Sequence, residues 1–136
     1  MMHNNIRTGI IGLGRIGWNY HANEINCHSE YDLIAVSDQD KNKLAEARKK
    51  YNCSCFDNHL QMIKESNLDV VVIASPTHTH FQMAMNLLEA GIHVIIEKPM
   101  AMNYQEAFKI FELAENNNCL ITVFQPRLLA AYFQQI

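Results

Sequence analysis

Gly12, Gly14 and Gly17 stand in the spacing G-x-G-x-x-G, with Leu13, Arg15 and Ile16 between them. Where such a run closes a β-strand and opens a helix it has a definite chemistry. The first glycine permits the tight turn, the second lets a pyrophosphate approach the backbone, and the third lets strand and helix pack closely. The anion then meets unpaired N–H groups at the positive end of the helix dipole. An ordinary glycine-rich turn and an S-adenosylmethionine loop of methyltransferase type are the other readings of this run. Asp38 lies 21 residues beyond Gly17. A carboxylate there accepts hydrogen bonds from the adenosine ribose hydroxyls and repels a 2′-phosphate. This favours NAD over NADP, while Lys41 and Lys43 are near enough to leave NADP use open. The alternative is that Asp38 or Asp40 caps the following helix.

Two more groups of residues carry chemistry. Ser75-Pro76-Thr77-His78-Thr79-His80 follows a strongly apolar run and so falls at the carboxyl edge of a sheet, where open α/β folds bind ligands. His80 reads as a first-turn residue beside a cofactor and His78 as solvent-facing; two histidines at i and i+2 on a helix start diverge, which argues against a metal pair. Glu97-Lys98-Pro99 closes another strand at the same edge. A lysine there can exchange a proton with a hydroxyl being oxidised or bind it electrostatically, the alternative being a salt-bridged strand end. His21 reads as packing or surface, and Trp18 as a core or edge anchor.

The elements that must position these residues alternate between short β-rich runs and longer helical stretches, the pattern of a parallel sheet covered by crossover helices. Strands are predicted at Thr8–Ile11, Leu33–Ser37, Cys53–Phe56, Val70–Ile73, His93–Ile96 and Leu120–Phe124. Helices are predicted from Arg15 to about Asn26, Lys41–Tyr51, Asn58–Ser66, Thr79–Ala90 and Asn103–Glu115, with Gly91 ending the fourth. The prediction is an α/β doubly wound parallel sheet of Rossmann type over residues 1–124. From Arg127 onward Leu128, Leu129, Tyr132 and Ile136 share roughly one side of a further helix. Residues 125–136 therefore read as the start of a second, truncated domain, whose unpartnered face should promote self-association.

The 136 residues are 49% hydrophobic and 18% charged, which suits one globular domain. A net charge of −3 with scattered basic residues disfavours nucleic acid. The polar start and the lack of an apolar run of about 18 residues argue against export and membrane insertion, so a cytoplasmic protein is expected. Its four cysteines are then reduced thiols. Cys53-x-Cys55 has no second pair at ligand spacing, and no metal site is expected.

Taken in order, the glycine loop, Ala35-Val36-Ser37-Asp38, Ser75-Pro76-Thr77 with His80, Glu89-Ala90-Gly91-Ile92-His93-Val94 and Glu97-Lys98-Pro99 resemble the Gfo/Idh/MocA oxidoreductases over nearly the whole chain. The resemblance implies hydride transfer between NAD(P) and a sugar, inositol or related polyol at a hydroxyl carbon. It implies that Gly12, Gly14, Arg15, Ile16 and Gly17 bind pyrophosphate, that Asp38 holds the adenosine ribose, and that Ser75, Pro76, Thr77 and His80 flank the cofactor. Glu97 then lies near the nicotinamide ribose, and Lys98 is the catalytic or substrate-orienting lysine. Family members carry a second α/β domain, so this chain alone is expected to bind cofactor without turnover. The expected partners are the sugar or polyol of the complete enzyme and further copies of the chain. A non-catalytic nucleotide-binding or sensing module is the alternative function.

Overall fold

The computed structural model describes residues 5–126. Short apolar runs such as Val70–Ile73 are stable as strands when both faces are covered, and six of them pair here into one parallel sheet. They are β1 (Ile6–Ile11), β2 (Tyr31–Ser37), β3 (Ser54–Phe56), β4 (Val70–Ile73), β5 (His93–Glu97) and β6 (Ile121–Phe124), in the spatial order β3-β2-β1-β4-β5-β6. The two halves run outward from the β1–β4 junction, and the crevice at such a reversal is the ligand site of open α/β sheets. β1 and β2 each begin two residues before the apolar pattern starts, because Ile6 pairs with Tyr31 and Arg7 with Asp32 in the ladder. Backbone pairing thus continues past the point where side chains are buried.

Successive side chains leave a strand on opposite faces, and this alternation builds two cores. On one face Ile11, Val71, Ile73, Val94 and Ile96 pack with Met62 of α3 (His59–Glu65), Ala84, Leu87 and Leu88 of α4 (Thr77–Glu89) and Ile110 of α5 (Tyr104–Asn116). On the other, Ile10, Val36 and Val72 pack with Ala22 and with Leu44 and Ala47 of α2 (Lys41–Tyr51). Three of the helices start where short polar side chains satisfy the first free N–H groups. Asp40 accepts from Asn42 N at 2.9 Å, Asn58 from Leu60 N at 2.8 Å and Asn103 from Glu106 N at 3.0 Å.

Two local departures from the predicted elements bear on the site. The first helix is not uniformly α: Gly17–Ala22 winds as a π-helix before the short α1 (Asn23–Cys27). Such segments are frequent at functional sites, and a periodicity count does not register them. α4 begins at Thr77, two residues earlier than predicted, because Pro76 with φ −58° and ψ 140° already occupies the N-cap. Thr79 Oγ1 then donates to Pro76 O at 2.7 Å, closing the turn. No helix among the described residues is long and apolar enough to cross a membrane. The 127–136 segment and its Leu128, Leu129, Tyr132 and Ile136 face lie outside the described residues.

Candidate functional site

The turn after β1 is set by contacts that only glycine allows. Gly12 has φ +95°, and a Cβ on it would stand 2.6 Å from the backbone of Ala74 and Ser75. A Cβ on Gly17 would stand 1.9 Å from Gly12 O. These two glycines therefore fix how tightly the turn, β4 and the first helix nest. Gly14 differs, since a Cβ there would meet no atom within 4 Å. Packing among the described residues does not require glycine at position 14. Arg15 and the exposed Ile16 follow on the first helical turn.

Asp38, just past the end of β2, is tied into the same turn. Its Oδ2 accepts from Leu13 N at 2.6 Å and its Oδ1 from Asp40 N at 2.8 Å. The question left open by the sequence is thereby divided between two residues: Asp40 caps α2 and Asp38 clamps the glycine loop. A carboxylate has about four acceptor positions, so both backbone bonds leave Asp38 able to accept hydroxyl donors from a ribose.

One cavity of about 590 Å³ runs along this edge and is lined by Gly12, Gly14, Asp38, Ser75 and Pro76, with Lys43, His78 and Thr79. Lys41 is not on its wall. Gln39, Asp57, His59 and Met83 also line it; no motif spacing marks them, because they come together only when β2, β3 and β4 align. Gly17 stands behind the loop as a packing residue.

His80 is placed differently from the sequence expectation. It is 1% exposed and not on the cavity wall. Its Nε2 lies 2.8 Å from Ser75 O and its Nδ1 3.0 Å from Pro99 O. The ring ties the turn after β4 to the turn after β5, and so acts on the edge from beneath it. Thr77 opens α4 on the same turn, while the exposed His78 faces the cavity.

Glu97 ends β5 and Lys98 follows it, farther along the edge and apart from the cavity lining. Lys98 is exposed and precedes a cis peptide bond to Pro99. Glu97 has a partner that the sequence reading missed. His21 is buried, and its Nε2 donates to Glu97 Oε1 at 2.7 Å. The ring is boxed by Tyr20 and Phe124, with centroids at 5.4 and 4.7 Å. His21 is thus neither a surface residue nor simple packing. It belongs to the π-helical segment, which carries it from the helix after β1 to the end of β5. Trp18 is half-buried edge to face on Tyr51, with Lys50 over its ring.

The cysteines do not contribute chemistry at this edge. All four are free thiols, and burial together with the neighbouring Cys55 pushes the Cys53 thiol up to about 12. Among the described residues, no group of three or more His, Cys, Asp or Glu side chains is arranged to hold a metal ion.

A doubly wound parallel sheet with a glycine turn at its switch point and a carboxylate closing its second strand defines a dinucleotide-binding domain. The chain belongs to the Gfo/Idh/MocA oxidoreductase family: residues 6–125 match that family's model, described as an oxidoreductase family with an NAD-binding Rossmann fold. It is similar to UDP-N-acetylglucosamine 3-dehydrogenase of Acidithiobacillus ferrooxidans, with 32% identity over 123 residues, covering 90% of this chain and 37% of that protein. It is also similar to myo-inositol 2-dehydrogenase of Thermotoga maritima, with 32% identity over 108 residues, covering 79% of this chain and 32% of that protein. Among solved structures, scyllo-inositol dehydrogenase of Lactobacillus casei with bound NAD(H) and scyllo-inositol superposes with a TM-score of 0.90 at 26% identity, covering 97% of this chain and 39% of that one. The chain spans about a third of the length of the curated relatives it matches.

Proposed function

We propose that this chain is the cofactor domain of a dehydrogenase that moves a hydride between NAD(H) and a hydroxyl carbon of a sugar, inositol or related polyol. The observation that carries the reading is a cavity at the β1–β4 switch point that joins Gly12, Gly14, Asp38, Ser75 and Pro76. In this reading the backbone at Gly12 and Gly14 and the N–H groups of Arg15 and Ile16 receive the pyrophosphate, as helix N-termini do. Asp38 accepts from the adenosine ribose and disfavours a 2′-phosphate, so NAD is the main cofactor and NADP a secondary one held with Lys43. The nicotinamide, when bound, supplies the hydride acceptor or donor. Glu97, fixed by His21, faces the nicotinamide ribose, and Lys98 orients the substrate hydroxyl or takes up its proton. Thr77 and His80 hold the turn after β4 in place.

The relatives named above act on a UDP-sugar and on inositols, which supports the substrate class. Residues 6–125, which match the family's model, form the cofactor domain, and the remaining substrate and acid/base groups belong to the part of such dehydrogenases that this chain does not span. Free thiols suit a cytoplasmic protein, and the net negative charge suits one without a nucleic-acid partner. Tyr104, Phe108 and Phe111 are exposed at i, i+4 and i+7 on α5, which suits assembly with further copies.

Titration of the chain with NADH, followed by nicotinamide fluorescence, tests the reading. NADPH and S-adenosylmethionine serve as competitors, and polyol turnover is recorded in parallel. Saturable NADH binding, weaker NADPH competition, no S-adenosylmethionine competition and no turnover are expected. Absence of NADH binding would remove the reading, and displacement by S-adenosylmethionine would assign the site a different nucleotide ligand.

A further inference from the structure

Resting on the dinucleotide reading above, we propose that His59 forms the adenine-binding wall of the cofactor site. A pyrophosphate seated at Gly12 and Gly14 divides the sheet edge into two sides. Glu97 and Lys98 lie on the β4–β5 side, and the sheet order puts the turn after β3 on the opposite, β2 side. His59 is the first residue of α3, directly after that turn, and lines the same cavity as Asp38, Gln39 and Met83. Asp38 identifies this side as the adenosine half, so the cavity beyond the ribose is where the base must lie.

The His59 ring is held for such a contact. Asn58 fixes the start of α3 by accepting from Leu60 N at 2.8 Å. Asn86 on α4 presents Nδ2–H to His59 Nε2 at 2.9 Å, and its own Oδ1 accepts from Gln82 Nε2 at 3.0 Å. With Nε2 accepting, the ring proton sits on Nδ1, and no partner for Nδ1 stands among the described residues. A ring whose Nε2 accepts from an amide is a neutral one, and burial pushes the imidazole in the same direction, below its ordinary pKa. A neutral, oriented imidazole offers a flat face for stacking and one N–H donor, which suits the uncharged purine with its ring-nitrogen acceptors and does little for a phosphate. The polarisable Met83 thioether lines the same cavity and favours an aromatic neighbour.

The test measures NADH, 5′-AMP and nicotinamide mononucleotide affinities of the chain, by fluorescence or calorimetry, in the parent and in His59→Ala. Loss of an aromatic partner for a base weakens binding by about tenfold. NADH and AMP should therefore weaken together by about that factor, with nicotinamide mononucleotide unchanged. His59→Phe, which keeps the flat face, should recover most of the loss. AMP affinity unchanged in a folded His59→Ala, or a nicotinamide mononucleotide loss equal to the AMP loss, overturns the assignment. Should His59→Ala unfold, Asn86→Ala frees the ring without removing it: weaker AMP binding then supports the assignment and unchanged AMP binding overturns it. A parent chain that binds neither NADH nor AMP defeats the dinucleotide reading itself, whereas one that binds both and is indifferent to position 59 defeats only the assignment of His59.

Discussion

A Cβ at Gly17 would stand 1.9 Å from Gly12 O, whereas one at Gly14 would meet no atom within 4 Å. The two substitutions should therefore separate folding from binding. Gly17→Ala forces backbone apart in a nested turn and should cost about 3 kcal/mol, the upper range of overpacking. Gly14→Ala should leave thermal unfolding within about 1 kcal/mol of the parent while weakening NADH. Thermal melts beside NADH titrations measure both, and the opposite pattern would mean that residue 14 is glycine for the fold. Asp38 joins the two roles, since it clamps Leu13 N at 2.6 Å and faces the cavity. Asp38→Asn keeps an acceptor for the loop but removes the charge that opposes a 2′-phosphate. The NADPH-to-NADH affinity ratio should rise by about tenfold, equivalent to about 1.4 kcal/mol of relieved repulsion. An unchanged ratio would leave Asp38 as a loop clamp alone.

Between elements, the start of β1 is locked to the turn before β4 by one carboxylate. Asp69 accepts from Arg7 N at 2.8 Å, from its Nε at 3.0 Å and from its Nη2 at 2.6 Å. Side-chain hydrogen bonding from Arg7, aided by its backbone N–H, holds the Asp69 carboxyl at about 2, below its ordinary 3.8. A depressed folded-state pKa contributes stability above the unfolded value and loses it as pH falls through the folded one. Stability should therefore drop between pH 4 and pH 2, and in Asp69→Asn this part of the acid limb should flatten. Because the side chains are 39% and 38% exposed, added salt should shrink the difference. Urea unfolding at stepped pH checks it, and parallel acid limbs would deny Asp69 the role. The strands around this lock were legible in the sequence because Val70–Ile73 and its neighbours are apolar runs of strand length, and the glycine spacing located the switch point. The π-helical Gly17–Ala22 was not legible, because a widened turn leaves no mark in apolar periodicity. Nor were the partners His21–Glu97 and His59–Asn86, separated by 76 and 27 residues, since their meeting depends on how the layers stack.

At the scale of the molecule, the two halves of the sheet meet at the ligand edge through that first pair. His21 belongs to the helix after β1, Glu97 ends β5, and Phe124 of β6 packs on the His21 ring. The two polar side chains are only 6% and 14% exposed, so neither is stabilised by water if the other is removed. His21→Leu leaves a buried carboxylate without its donor and should cost about 3 kcal/mol. Glu97→Met alone leaves a buried imidazole N–H unpaired and should also destabilise. The double replacement His21→Leu/Glu97→Met puts apolar side chains of similar size in both places and should return most of the loss, as replacement of buried ion pairs does. A four-member cycle by urea unfolding measures the coupling. NADH affinity is read in the same samples, because the cycle alone does not distinguish a structural tie from one that also sets the nicotinamide end. A double variant restored in stability but weak in NADH would give His21 and Glu97 both roles, one in joining the halves and one in binding. Strictly additive costs would mean that strand pairing alone joins the halves and that the π-helical turn is shaped by something other than the reach of His21 to Glu97.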